Sequence, residues 1–107
     1  MSPASAVSET TTPGAREVAL QTARRVTRGA LLSRELGRAL DRSGLPPRER
    51  ALATDLAYGS VRWRVWLDAA LAPRLRDPGR LPEAVREILR LGAYEILIRE
   101  TPPHAAV

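Results

Sequence analysis

From Ala15 onward the apolar residues recur at spacings of three and four, which is the period of a helix at about 100° per residue. No stretch alternates as a half-buried strand would. The first helix is predicted from about Ala15 to Arg28, with Ala15, Ala19, Thr22, Ala23 and Val26 as a modest apolar stripe. Gly29 follows as a left-handed cap. The second helix runs from about Ser33, read as an N-cap, to Ser43. Leu32, Leu36, Ala39 and Leu40 share one of its sides, and Gly44-Leu45-Pro46 ends it. The third is predicted to continue unbroken from Pro47, which suits a first turn, to Pro73. The fourth begins after the turn at Asp77-Pro78-Gly79, with Pro82 and Glu83 in its first turn, and reaches Arg99.

The third and fourth helices each carry two apolar faces. On the third, Leu52, Leu56, Gly59, Trp63, Trp66, Leu67 and Ala70 form the main stripe, with Tyr58, Val61 and Val65 on the far side. On the fourth, Val85, Ile88, Leu89, Gly92, Ala93 and Ile96 form the main stripe, with Leu91, Tyr94 and Ile98 on a second face. A helix that is apolar on two faces is buried between two layers. The expected fold is therefore all-α: two small helical sub-bundles sharing a long central helix. This position makes Trp63 a core residue rather than a base-stacking one. It also places Gly59 and Gly92 at or near helix–helix contacts, because glycine in a helix interior costs roughly 1 kcal/mol against alanine. Too little sequence follows to cover both two-faced helices, so residues 15–107 read as an incomplete domain. Residues 1–14, rich in Ser, Thr, Ala and Pro, read as a disordered tail.

Composition removes several kinds of chemistry. With 107 residues the chain is at most one domain. It contains no cysteine, so it has no disulfide, thiolate zinc site or thiol nucleophile of its own. The single histidine, His104, excludes a histidine-rich metal site and reads as a residue near a helix start rather than a catalytic base. No apolar run approaches the roughly 18 residues of a membrane span. The first residues lack the pattern of a secretion signal, and a cytoplasmic setting is expected.

Charge sharpens the picture. The net charge is +5, and all 17 basic residues are arginine, a bias in which genome composition has a share. A basic surface suits a polyanion. On the first helix Arg24, Arg25 and Arg28 gather opposite the apolar stripe, either as a solvated face helped by the helix dipole or as contacts to RNA phosphates. Arg16 falls at the apolar edge. It is read equally as an RNA contact and as the partner of a bundle acid such as Asp55. Arg62 and Arg64 lie on opposite flanks of the third helix's stripe, so at most one of them shares a surface with the first helix.

An ordered set of segments carries a resemblance. It comprises Ala15-Arg16-Glu17-Val18-Ala19-Leu20, the Leu52–Asp68 stretch with Tyr58-Gly59 and Arg62-Trp63-Arg64, and Leu89-Arg90-Leu91-Gly92-Ala93-Tyr94-Glu95-Ile96-Leu97 followed by Pro102-Pro103-His104-Ala105-Ala106-Val107. Together they resemble the NusB-type all-helical RNA-binding domain, in the version found at the N-terminus of the RsmB (Sun/Fmu) family of bacterial 16S rRNA cytosine-C5 methyltransferases. The resemblance implies a NusB-like helical bundle and a role in presenting ribosomal RNA to a separate S-adenosylmethionine-dependent domain. It also implies a further helix beyond Val107 and a larger aliphatic residue where this chain has Ala23. The catalytic chemistry of that family needs a cysteine nucleophile and a glycine-rich turn after a strand. Neither is present, so no catalytic residue, metal or cofactor is expected in this chain.

Three functions follow as expectations. The first is the rRNA-recognition module of a methyltransferase, with Arg16, Arg24, Arg25, Arg28, Arg62 and Arg64 as candidate RNA contacts. The second is a NusB-like transcription antitermination factor that binds boxA-type RNA with a ribosomal-protein partner. The third is a helical protein-interaction domain without an RNA role.

Overall fold

The computed structural model describes residues 14–100. The predicted tail before Gly14 and the reading of His104 lie outside the described residues. Among the described residues five α-helices follow one another: α1 (Ala15–Thr27), α2 (Leu32–Ser43), α3 (Pro47–Arg62), α4 (Arg64–Leu71) and α5 (Glu83–Ala93). Short 3-10 turns at Ala72–Arg74 and Pro78–Arg80 connect α4 to α5, and a π-helical turn, Tyr94–Ile98, extends α5. No strand occurs among the described residues, in agreement with the all-α expectation.

The predicted boundaries of the first two helices hold to within a residue or two. Helix α1 ends in a Schellman arrangement, in which the Gly29 N–H donates to the Val26 carbonyl (2.9 Å) and the Ala30 N–H to the Arg25 carbonyl (3.1 Å). Gly29 takes φ +103°, a conformation that costs an L side chain dearly and glycine nothing. Helix α2 starts at Leu32, so Ser33 lies inside the first turn instead of capping it. The guanidinium of Arg50 donates to the Leu40 carbonyl at 3.0 Å and satisfies part of the far end of α2.

The long third helix is interrupted. At Trp63 the backbone takes φ −96°, ψ 14°, which ends α3 and begins α4. Hydrogen bonds still pass through the break, from the Trp63 N–H to the Gly59 carbonyl (2.9 Å) and from the Leu67 N–H to the Trp63 carbonyl (2.8 Å). The interruption is therefore a local change of twist and not a loop. Upstream of it Ala53, Leu56, Ala57, Gly59 and Ser60 are buried, and downstream only Leu67 is. Trp63 and Trp66, expected in the core, are 39% and 47% exposed. Tyr58 and Val65, on the second apolar line, face solvent as well.

The core is a contact of α1 with α3, flanked by α2 and by α5 with its π turn. It is built from Val18, Ala19, Leu36, Leu40, Ala53, Leu56, Ala57, Leu67, Leu91 and Tyr94. Small residues on the facing sides of α1 and α3, above all Ala19, Ala53 and Ala57, let these helices approach closely. Gly59 has the role expected of it, because a Cβ there would overlap the ring of Tyr94. Gly92 does not: among the described residues no neighbour outside its own helix backbone lies within 4 Å of where its Cβ would be.

Helix α5 turns a different side inward from the one its main stripe suggests. Glu87, Arg90, Leu91 and Ala93 are buried, while Val85 and Ile88 are exposed, as is Ile96 beyond them. The second face, Leu91, Tyr94 and Ile98, is the one that meets the core. The main stripe lines an apolar groove of about 450 Å³ between Leu71, Ile88, Leu89, Gly92, Ala93, Ile96 and Leu97. Two-sided burial of the central elements is not seen among the described residues.

Candidate nucleic-acid interface

The last two turns of α1 project arginines outward. Arg24, Arg25 and Arg28, with Gln21, line a shallow concavity of about 240 Å³. Arg25 makes only a long contact to Glu35 (3.8 Å), and Arg38 reaches the same carboxylate at 3.9 Å. Among the described residues no carboxylate pairs with Arg24 or Arg28, and the Arg24 Nε is buried without a hydrogen-bond acceptor. Helix geometry gathers these groups, since residues three and four apart are neighbours on one surface. The cluster sits at the C-terminal end of α1, where the helix dipole favours cations.

Arg64 joins this end of α1 from another element. Its guanidinium donates to the Thr27 hydroxyl at 2.9 Å, and the hydroxyl in turn reaches the carboxylate of Glu87 at 2.5 Å. Arg62 is exposed on the other side of the break. It lies with Arg99 near enough to Tyr94 to favour that phenol's charged form. Of the two flanking arginines, Arg64 thus reaches α1, while Arg62 lies toward Tyr94.

Arg16 is committed elsewhere. Its Nε and one terminal nitrogen donate to the two carboxylate oxygens of Glu95 at 2.8 and 2.7 Å. Glu95 is fully buried, whereas the Arg16 side chain is 40% exposed. The bundle acid that the sequence suggests for Arg16 is Asp55. Asp55 instead pairs with Arg99 (2.6 Å) and accepts a hydrogen bond from the Tyr94 hydroxyl (2.9 Å). Burial, reinforced by the bond to Asp55, pushes the Tyr94 phenol up to about 12. The π turn, closed by the Arg99 N–H on the Tyr94 carbonyl (3.1 Å), holds Tyr94 and Glu95 both inward.

A second polar network fastens α4 to α5. Arg90, buried, meets the Asp68 carboxylate through two bonds of 2.7 and 2.8 Å, and lies 3.2 Å from Glu87 and 3.4 Å from Glu83. The Arg90 bonds hold the Asp68 carboxyl below its ordinary 3.8, and Asp68 reciprocally raises the Arg90 guanidinium. Sequence reasoning missed this network and the burial of Glu95. The available signal was the spacing of Glu87, Leu91 and Glu95 at i, i+4 and i+8, which puts two acids on the face that carries Leu91 into the core. It also missed the exposed tryptophan pair, whose ring centroids are 6.3 Å apart at an interplanar angle of 79°.

Among the described residues no group of His, Cys, Asp or Glu is arranged to hold a metal ion. No helix among them is long and apolar enough to cross a membrane. The surface is cationic at one end of α1, aromatic at the α3–α4 break and apolar along the outer side of α5.

Comparison with known proteins places the chain in a family. The profile of the NusB family matches residues 13–107. The chain is similar to the ribosomal RNA small subunit methyltransferase B of Thermus thermophilus, at 51% identity over 82 residues, covering 77% of this chain and 20% of that protein. It is similar to the proteins of the same name in Pseudomonas syringae pv. tomato (37% over 79 residues; 73% of this chain, 17% of that protein) and Pseudomonas putida (35% over 79 residues; 73% and 18%). The chain thus spans about a fifth of the length of the curated relatives it matches. No solved structure matches it at a significant level.

Proposed function

The chain belongs to the NusB family, and from that premise we propose that it is an RNA-binding module, serving as the rRNA-recognition domain of an S-adenosylmethionine-dependent rRNA cytosine-C5 methyltransferase. The observation that carries this reading is the concavity lined by Gln21, Arg24, Arg25 and Arg28. Two of its guanidiniums have no carboxylate partner among the described residues, and its third has only a long one. Arginine's planar fork suits phosphate oxygens, and contacts of this kind position RNA without reading much of its sequence. The names of the relatives point to ribosomal RNA of the small subunit. Arg62 is a further candidate contact, while Arg16 and Arg64 serve first to hold Glu95 and Thr27.

Methyl transfer belongs, in this reading, to a separate catalytic domain. The residues described here do not fit S-adenosylmethionine: no strand leads into a glycine-rich turn, and the chain has no cysteine to attack a cytosine ring. The contribution of this module is to bind and orient RNA.

Fluorescence anisotropy with a small-subunit rRNA fragment tests the proposal. With about four phosphates neutralised, log affinity falls against log salt with a slope near −3 for single strands. Changing Arg24, Arg25 and Arg28 together to Ala is expected to weaken binding at least tenfold and to flatten that slope by about 2. Unchanged affinity and slope would remove α1 from the interface. A marked preference for boxA-type RNA over the rRNA fragment would shift the reading to an antitermination factor.

A further inference from the structure

The break between α3 and α4 leaves two large aromatic side chains in solvent. Trp63 and Trp66 are 39% and 47% exposed, and their rings meet edge to face at 6.3 Å. They are the chain's only tryptophans. Indole is the largest apolar surface a side chain offers, and exposing two side by side is unfavourable unless something covers them. The surroundings indicate what that is. Trp63 lies between Arg62 and Arg64 in sequence, and the two arginines diverge to either side of the break. Arg64 donates to Thr27, which stands three residues from Arg24 and next to Arg28 on α1. The aromatic pair thus has a cation on either side of it in sequence, and Arg64, which also lies 3.8 Å from the Glu87 carboxylate, reaches the same end of α1 that carries the arginine concavity. A partner that is anionic and also has flat apolar faces complements both features.

We infer that Trp63 and Trp66 form a stacking site for unpaired bases of a single-stranded RNA whose phosphates follow the arginines of α1. The inference rests on the RNA-binding reading of the chain and adds the base-contacting element which that reading lacks. In an edge-to-face pair one ring leaves a π-face open to a base while the other buttresses its edge. Any base can stack this way, so the site selects single strands over duplexes and discriminates weakly among sequences.

The test uses the 107-residue chain, in which all tryptophan emission comes from this pair. The probes are a short oligouridylate and an abasic ribose-phosphate oligomer of the same length. Anisotropy reports binding of each, and tryptophan emission reports stacking. Stacking predicts that oligouridylate quenches the emission and the abasic oligomer does not, at concentrations where both are bound. In the Trp63→Ala, Trp66→Ala double variant the preference for oligouridylate over the abasic oligomer is expected to fall about tenfold. The Trp63→Phe, Trp66→Phe variant is expected to keep most of it. Should the alanine variant unfold, as judged by circular dichroism, the wild-type quenching and the phenylalanine variant decide the matter. RNA binding with its steep salt dependence but without quenching or preference for bases would overturn the stacking site and leave the phosphate interface standing. No RNA binding at any salt would overturn both the stacking site and the phosphate interface.

Discussion

Gly59 shows how one missing side chain sets the position of a whole segment. The ring of Tyr94 occupies the space its Cβ would take, so the π turn can lie directly against α3. That approach lets the Tyr94 hydroxyl reach Asp55 and presents Glu95 to Arg16 on the other side. A Gly59→Ala substitution forces the ring out of a packed site, an overpacking cost of about 1–3 kcal/mol. For a domain of this size the melting temperature should fall by roughly 4–8 °C per kcal/mol, measurable by differential scanning calorimetry. In a Tyr94→Leu background the same substitution should cost much less. Equal losses in both backgrounds would show that a contact other than the ring accounts for the effect, since helix propensity alone favours alanine over glycine.

Among the elements, α1 and α2 were legible in the sequence because each has one apolar side and a glycine at its end. Leu36, Leu40, Ala19 and Ala23 sit where a period of 3.6 residues puts them. Helix α5 was legible as a helix but not in its orientation. Its main stripe is richer in Ile, Leu and Val, yet the side with Glu87 and Arg90 is the buried one. Hydrophobic periodicity weighs each acid and base as a solvated group, and it cannot know that Arg90 has Asp68 waiting on α4 or that Glu95 has Arg16 waiting on α1. The break at Trp63 was equally hidden, since no proline or glycine marks it. The arginine cluster on α1 needed only helical spacing and was visible from the start. The exposed indoles required the break and were not.

The α4–α5 contact therefore depends on ionised groups, which gives it a pH dependence. Asp68 titrates in the native protein below its ordinary 3.8, chiefly through its bonds to Arg90. A lowered carboxyl pKa contributes stability that is complete above the unfolded value and is lost as pH falls through the folded one. Unfolding followed by circular dichroism should thus show a stability loss below pH 3.8 to which this pair contributes. Asp68→Asn should lower stability at neutral pH and flatten the acid limb. The side chain of Asp68 is 40% exposed, so solvent screening keeps its share modest. An acid limb that keeps its full slope in the variant would assign that loss to other carboxylates.

At the scale of the molecule two populations of arginine stand apart. Arg16, Arg90 and Arg99 are closed against carboxylates at 2.6–2.8 Å and belong to the fold. Arg24, Arg25 and Arg28 face the solvent side of α1 and, with the net charge of +5, give that end its field. Salt acts on these populations differently. Mobile ions screen exposed charges over about 10 Å at 0.1 M but weaken close, partly buried pairs less. Raising salt from about 50 to about 200 mM should weaken RNA binding roughly fiftyfold if about four phosphates are neutralised, because the slope of −0.7 per phosphate acts over a fourfold concentration change. The melting temperature over the same interval should shift by no more than a few degrees. Paired measurements of anisotropy and thermal melting in identical buffers check this. Parallel losses in both would mean that salt loosens the fold itself, and that the fall in RNA affinity reports unfolding instead of the release of counterions from a preformed arginine surface.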